Sequence, residues 1–359
     1  MSTYKSALHH MAMTTATDYW NDSCNTDELA YGLEHGAVGA TSNPTIVHTV
    51  MKQQIDVWQP RLRELIAEMP TATEEDLAWK IAEEITLKAA TMLMPLFEEN
   101  GRTAGRIAIQ TNPTFFRNAD RIVQQGLHFH NLAPNLTIKL PVTAAGLTAL
   151  EELTAHGVST TATVSFTVPQ VIAAAEAFER GLKRREKEGK STEAISCNAV
   201  IMVGRLDDWL KVVTAKQGVT IRPDAVEWAG VAAMKRAYSI FQERGYRARL
   251  MAAAYRNHYH WSELIGGDLV VTIPYKWARR FNASDITVAD RIDRPVDPEI
   301  IETLNRNFED FRRAYEPDGM EPSEFEAFGS TARTLRTFIK SYADLLATVR
   351  DEMVPDPDR

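Results

Sequence analysis

The chain has 359 residues, 44% hydrophobic and 25% charged, with a formal net charge of −8 at pH 7. That is an ordinary globular composition with ample material for a large core, and its acidic balance argues against nucleic acid as the main partner. No apolar run approaches the roughly 20 residues that span a bilayer, and the opening MSTYKSALHHMAM has no continuous apolar stretch of the secretory kind. The two distant cysteines, Cys24 and Cys197, suggest neither a disulfide framework nor a zinc knuckle. A soluble, cytoplasmic protein with reduced thiols is therefore expected, with no membrane partner.

In chain order, short β-rich apolar runs recur at residues 11–17, 38–42, 106–111, 136–141, 159–166, 199–205, 248–254 and 269–274. Each reads as a strand buried on both faces, which suits a parallel sheet. Helical periodicity follows most of them, for example over 144–155, with Thr143 placed as its N-cap, and over 168–184. Residues 50–100 predict at least two amphipathic helices, 238–246 a helix followed by a glycine turn, and 330–353 a final helix. The mixed-sign run at 183–190 reads as a solvated helix end. Eight strands alternating with helices predict an α/β fold, a (β/α)₈ TIM barrel with additional outer helices. An open doubly wound sheet is the rival, but the glycine-rich phosphate loops typical of that fold are absent. The expectation is one domain over 1–359, with a C-terminal helical extension from about 286.

Polar residues of reactive type cluster at the predicted strand ends. Asp22 follows strand one, Ser42 and Asn43 end strand two, and Gln110 ends strand three. Lys139 lies inside strand four, Thr161 and Thr163 are in strand five, Arg205 closes strand six, and Arg256 follows strand seven. In a barrel these ends gather at one mouth. Lys139 is the most informative, because Leu-Thr-Ile-Lys-Leu-Pro sets an ammonium among apolar neighbours. Desolvation favours the neutral amine, the form that attacks a carbonyl carbon. The competing readings are a lysine snorkelling from the strand end and an inert buried pair with Asp22.

Two histidine pairs, His128/His130 and His258/His260, have spacings able to bind metal. Carboxylate partners are not evident, and the first pair falls on a predicted helix where i and i+2 point apart. No metal or organic cofactor is expected. His260 is a weaker candidate than Arg256 for touching substrate, and Trp20, Trp209, Trp261 and Trp277 read as packing residues.

At these residues the sequence resembles the transaldolase family. The resemblance rests on Asp22-Ser23-Cys24, Gly39-Ala40-Thr41-Ser42-Asn43-Pro44-Thr45, Ile107 to Gln110 and Ile138-Lys139-Leu140-Pro141-Val142-Thr143. It continues through Gly157 to Gln170, Val203-Gly204-Arg205, Ala254-Tyr255-Arg256-Asn257 and the Thr-Ile-Pro of strand eight. These elements occur in the family's order, one per strand, from about residue 15 to 280. The resemblance implies a Schiff-base lysine at Lys139, an acid/base carboxylate at Asp22 and a hydroxyl-binding Asn43. It also implies transfer of a dihydroxyacetone unit between sugar phosphates, in carbohydrate metabolism of the pentose phosphate type. A protonated imine is an electron sink, so a ketose can break between its third and fourth carbons while a carboxylate takes the hydroxyl proton.

Four positions depart from the family pattern. Gln110 stands where a glutamate is usual, as in the fructose-6-phosphate aldolase branch, and can hold a water but cannot accept a proton. Thr161 replaces an asparagine, Met202 replaces Phe or Tyr, and Ala254 replaces a serine that offers a hydroxyl to phosphate. Arg205 and Arg256 remain for the anion, and one of them could instead brace the rim against Asp207 or Asp208. The leading expectation is thus a transaldolase-type transferase. A Schiff-base aldolase releasing dihydroxyacetone is the alternative, as is a sugar with another anionic group. A barrel that only binds an anionic sugar is more distant. Homo-oligomer formation stays open.

Overall fold

Eight strands form the framework: β1 Asp18–Asn21, β2 Ala37–Thr41, β3 Arg106–Gln110, β4 Leu136–Pro141, β5 Thr160–Thr163, β6 Cys197–Ile201, β7 Arg249–Ala252 and β8 Val270–Ile273. In this computed structural model they pair in sequence order, all parallel, and β8 returns to β1 to close a barrel. The structure describes residues 4–100, 103–222 and 224–358, so the outermost residues of the expected 1–359 span lie outside the described residues. The helices in the first half are α1 Ala7–Thr14, α2 Thr26–Glu34, α3 Pro44–Gln53, α4 Ile55–Glu68, α5 Glu74–Glu99, α6 Ala119–His130 and α7 Ala144–Ala155. The second half adds α8 Val168–Lys187, α9 Val203–Gln217, α10 Ala229–Arg244, α11 Tyr259–Ser262, α12 Tyr275–Asn282, α13 Pro298–Asn307, α14 Glu309–Tyr315 and α15 Gly329–Met353. Among the described residues no helix is long and apolar enough to cross a membrane.

β4 illustrates how the local sequence builds the wall. All six of its residues are buried. The two-residue period of a strand puts Ile138 and Leu140 on one face and Thr137 and Lys139 on the other. The Thr137 hydroxyl meets that of Thr161 at 3.1 Å, and Lys139 Nζ donates to the Ser42 carbonyl at 3.2 Å, so the polar face is the interior one. Thr143 caps α7 as expected, its hydroxyl accepting from Gly146 N at 3.0 Å. A Cβ at Gly146 would stand only 1.7 Å from the Pro141 carbonyl oxygen. Gly146→Ala should therefore force α7 off the end of β4 and destabilise the protein by about 1–3 kcal/mol. Urea unfolding measures this directly, and an unchanged midpoint would contradict the packing argument.

Two strand expectations need correction. Residues 11–17 are not the first strand. Leu8 and Met11 are buried at helical spacing, Ser6 Oγ accepts from His9 N to start α1, and Met11 sulfur takes the Trp261 indole N–H. The threonines of 14–17 favour strands locally, but tertiary burial of the helix overrides that preference. β1 starts at Asp18 instead, so Asp22 comes directly after its end. The second correction concerns 199–205: β6 stops at Ile201, and Arg205 sits in the first turn of α9 rather than closing a strand. Gly204 makes this turn possible, since a Cβ there would lie 2.1 Å from the Ala254 carbonyl oxygen.

Beyond residue 286, α15 runs back along the barrel and packs on α3, α5, α4 and α9. This return brings the C-terminal helix to the site described next.

Candidate active site

Strand ends set the positions of the reactive groups. Asp22, Asn43, Lys139, Thr163, Arg205 and Arg256 line one cleft of about 370 Å³ at the C-terminal mouth of the barrel, together with Thr45, Met202, Tyr255, Lys276, Trp277 and Phe338. A second lobe of about 430 Å³ continues from Asp22 and Lys276 past Ser23, Glu28 and Gln53. A roomier cleft, about 470 Å³, is elsewhere, lined by α10 residues such as Lys235 and Arg236. Chemistry separates the two better than size does.

Lys139 is only 6% exposed. Among the described residues its amine has one hydrogen-bond acceptor, the Ser42 carbonyl, too few to satisfy an ammonium. Burial pushes its pKa down; Asp22 opposes that shift and Arg205 adds to it. Lys235 offers the contrast. It too is pushed down by burial, but its amine donates to Glu263 and to the carbonyls of Arg291 and Arg294, which makes it a well-satisfied structural cation.

Asp22 is the one carboxylate lining the main cleft among the described residues. The Thr41 hydroxyl donates to its Oδ1 at 2.6 Å, and Thr272 Oγ1 lies 2.8 Å from Thr41 Oγ1. Removal from water pushes the Asp22 pKa up, against the lowering influence of Lys139, the Thr41 bond and Arg205. Low dielectric thus acts on both partners in the direction of the neutral pair. Asp18, the nearby alternative, begins β1 and pairs with Arg249 at 2.5 Å. That is the opposite end of the strand from the cleft.

Asn43 caps α3, its Oδ1 accepting from Ile46 N at 3.0 Å, and also faces the cleft. Ser42 contributes its carbonyl to Lys139 while its hydroxyl bonds the Ala108 carbonyl. Gln110 is paired in register with Lys139 but is not brought into the main cleft. It lines an adjacent cavity of about 20 Å³ with Ser42 and Asn43, and its buried Oε1 has no partner among the described residues. Thr163 reaches the cleft, whereas Thr161 lies below it with its hydroxyl turned to Thr137.

The two expected arginines differ. Arg256 is braced, with Nε 2.9 Å and Nη2 2.8 Å from Asp208 and Nη1 donating to the Tyr255 carbonyl. Arg205 has a buried Nε without a partner among the described residues. His260, weighed as a substrate contact, is fully buried and does not line the cleft. Its Nδ1 accepts from Arg256 N, which leaves Nε2 to donate to Asp207 at 2.8 Å. The ring therefore holds the Arg256 loop from beneath. Positive φ values at Val164 (55°) and Ala254 (66°) occur where β5 and β7 end beside the cleft, and such conformations collect at functional sites. Cys24 and Cys197 are free and buried, their thiols pushed up to about 12.

Sequence reasoning missed Lys276, Tyr255 and Phe338 as lining residues. Lys276 was within reach, because it stands two positions after the Pro that follows β8. Phe338 carries no signal in its own segment, since only the return of α15 brings it to the mouth.

The sequence profile of the family described as Transaldolase/Fructose-6-phosphate aldolase matches residues 19–348. The chain is similar to a transaldolase of Mycobacterium ulcerans (strain Agy99), 27% identical over 242 residues, which cover 62% of this chain and 61% of that protein. It is also similar to a transaldolase of Thermobifida fusca (strain YX), 28% identical over 247 residues, covering 66% of this chain and 65% of the relative. The matched part thus spans under two thirds of each of these relatives.

Proposed function

Since the chain belongs to the transaldolase/fructose-6-phosphate aldolase family, we propose that it is a transaldolase-type transferase acting on sugar phosphates through a Schiff base at Lys139. The observation that carries this reading is the juxtaposition of a buried, under-bonded Lys139 amine with the lone carboxylate Asp22 in a cleft also lined by Arg205, Arg256 and Lys276. The excess of cationic groups there favours an anionic substrate.

In this mechanism the neutral Lys139 amine adds to the ketose carbonyl, and loss of water leaves a protonated imine. The Asp22 carboxylate takes the proton of the C4 hydroxyl as the C3–C4 bond breaks and its electron pair flows to the imine nitrogen. The aldehyde leaves, and the enamine on Lys139 adds to a second aldehyde, with Asp22 returning the proton. Hydrolysis then frees the lysine. Asn43 and Thr163 bind substrate hydroxyls. Gln110 holds a water in its adjacent cavity, large enough for one by volume. One domain over 1–359 is part of the same reading, supported by the packing of α15 on α3 and α5.

The aldolase alternative is favoured by one specific feature: an amide, not a carboxylate, at position 110. Fructose 6-phosphate incubated with and without an aldehyde acceptor separates the two. Transfer should release glyceraldehyde 3-phosphate in proportion to the acceptor supplied. Steady release of dihydroxyacetone without an acceptor would instead make the protein a lyase.

A further inference from the structure

We propose that the distal anionic group of the substrate is held between Arg205 and Arg333, so that the C-terminal helix α15 completes the anion subsite. The inference rests on the reading of a ketose-phosphate enzyme above and adds residues that the strand-end motifs do not contain.

Ser330, Arg333, Thr334 and Thr337 follow one another at i, i+3, i+4 and i+7, which places them on one face of α15. With Arg205 and Asp208 they line a recess of about 60 Å³, space for one tetrahedral oxyanion. Arg205 also lines the main cleft, and Phe338 on the same helix does so too, so the recess opens beside the reacting groups.

Charge distribution decides which arginine is available. Asp208 is engaged by two nitrogens of Arg256, whose third goes to the Tyr255 carbonyl. Arg256 is therefore largely satisfied within the protein. Arg205 is not. Its Nε is buried without a partner, and its Nη1 reaches Thr334 Oγ1 only at 3.5 Å, the outer limit of a hydrogen bond. Its guanidinium carbon lies 5.7 Å from the Phe338 ring centroid, which orients the plane but supplies no acceptor. Arg333 is exposed and has no ion pair among the described residues. Burial disfavours the Arg205 charge, Arg256 and Arg333 repel it, and Asp208 and Asp22 attract it. Two guanidiniums thus line the recess with one carboxylate that Arg256 already engages, an arrangement that an oxyanion relieves through charge-assisted, forked hydrogen bonds. Ala254 offers no hydroxyl from the β7 side; the hydroxyls of Ser330 and Thr334 are on the α15 side instead.

The test compares kcat/KM for fructose 6-phosphate with that for fructose in wild type, Arg333→Gln and Arg333→Lys. Arg333→Gln should lower the phosphorylated-to-neutral ratio about tenfold or more, mainly through KM, as expected for loss of a charge-assisted bond. Arg333→Lys should restore part of it, and inorganic phosphate should compete less well against Arg333→Gln than against wild type. An unchanged ratio, or equal losses for both sugars, would overturn the subsite. Borohydride trapping with dihydroxyacetone, which carries no anion, reports on the parent reading separately. Absence of any Lys139 adduct would remove the enzyme assignment, whereas a normal adduct with an unchanged ratio would remove the Arg333 subsite alone.

Discussion

Replacing Lys139 with alanine should reduce turnover by at least about 10⁴-fold, the scale seen when a covalent nucleophile is removed and only binding and electrostatics remain. The expectation follows from the surroundings of the amine. Burial disfavours the ammonium, one carbonyl is its sole hydrogen-bond acceptor among the described residues, and the neutral form is the nucleophile. Arginine at this position should not rescue, because a guanidinium forms no imine and stays protonated. The direct readout is borohydride reduction in the presence of dihydroxyacetone followed by peptide mapping. Wild-type protein should carry the adduct on the peptide containing Lys139, and Lys139→Ala should carry none. Lys276 also lines the cleft but is exposed, so it lacks the burial that sets Lys139 apart. An adduct on Lys276, or turnover surviving in Lys139→Ala, would displace Lys139 from the mechanism.

Asp22→Asn should lower kcat about 10²–10⁴-fold, the usual contribution of a positioned acid/base group. Asp18→Asn should have little effect on kcat, because Asp18 is tied to Arg249 at the far end of β1. The pH dependence adds a second, independent reading. The Asp22 carboxylate raises the Lys139 pKa, whereas burial and Arg205 lower it. Removing the carboxylate charge deletes the raising influence, so the Lys139 pKa should fall further. The amine would then remain neutral to lower pH, and the acid limb of imine trapping should move to lower pH in Asp22→Asn even as turnover collapses. A trapping profile shifted to higher pH, or not at all, would mean that the two groups do not share the site as their coupling implies. Full turnover in Asp22→Asn would transfer the proton role to another group.

Much of the barrel was legible because its strands are short, buried on both faces and separated by helical periods. β4 matches the expected 136–141, and Thr143 caps α7 as read. The two errors arose where local preference and tertiary burial disagree. The threonine-rich 14–17 segment favours a strand in isolation, but Leu8 and Met11 bury one face of a helix. At β6, an apolar run passes without a break into α9, and only the close approach of Gly204 to the Ala254 carbonyl marks the turn.

The same division holds at the candidate site. Sequence by itself determined the residue types at the strand ends, and with them the expectation that Asp22, Asn43, Lys139 and Arg205 meet. A lysine within an apolar strand carries its desolvation in its neighbours, so Lys139 stood out without coordinates. Tertiary structure alone decided which cations are free. Arg205 and Arg256 are equivalent as letters, but Asp208 satisfies one and leaves the other with an unpartnered nitrogen. It also set Gln110 in a side cavity, sank His260 beneath the Arg256 loop and carried Phe338 and Arg333 from the last helix to the mouth. Strand and helix periods are local and repeat every few residues, so a sequence displays them. The Arg256–Asp208 pair joins residues 48 apart and the return of α15 joins residues 129 apart, and only the folded chain brings such groups within reach of one another.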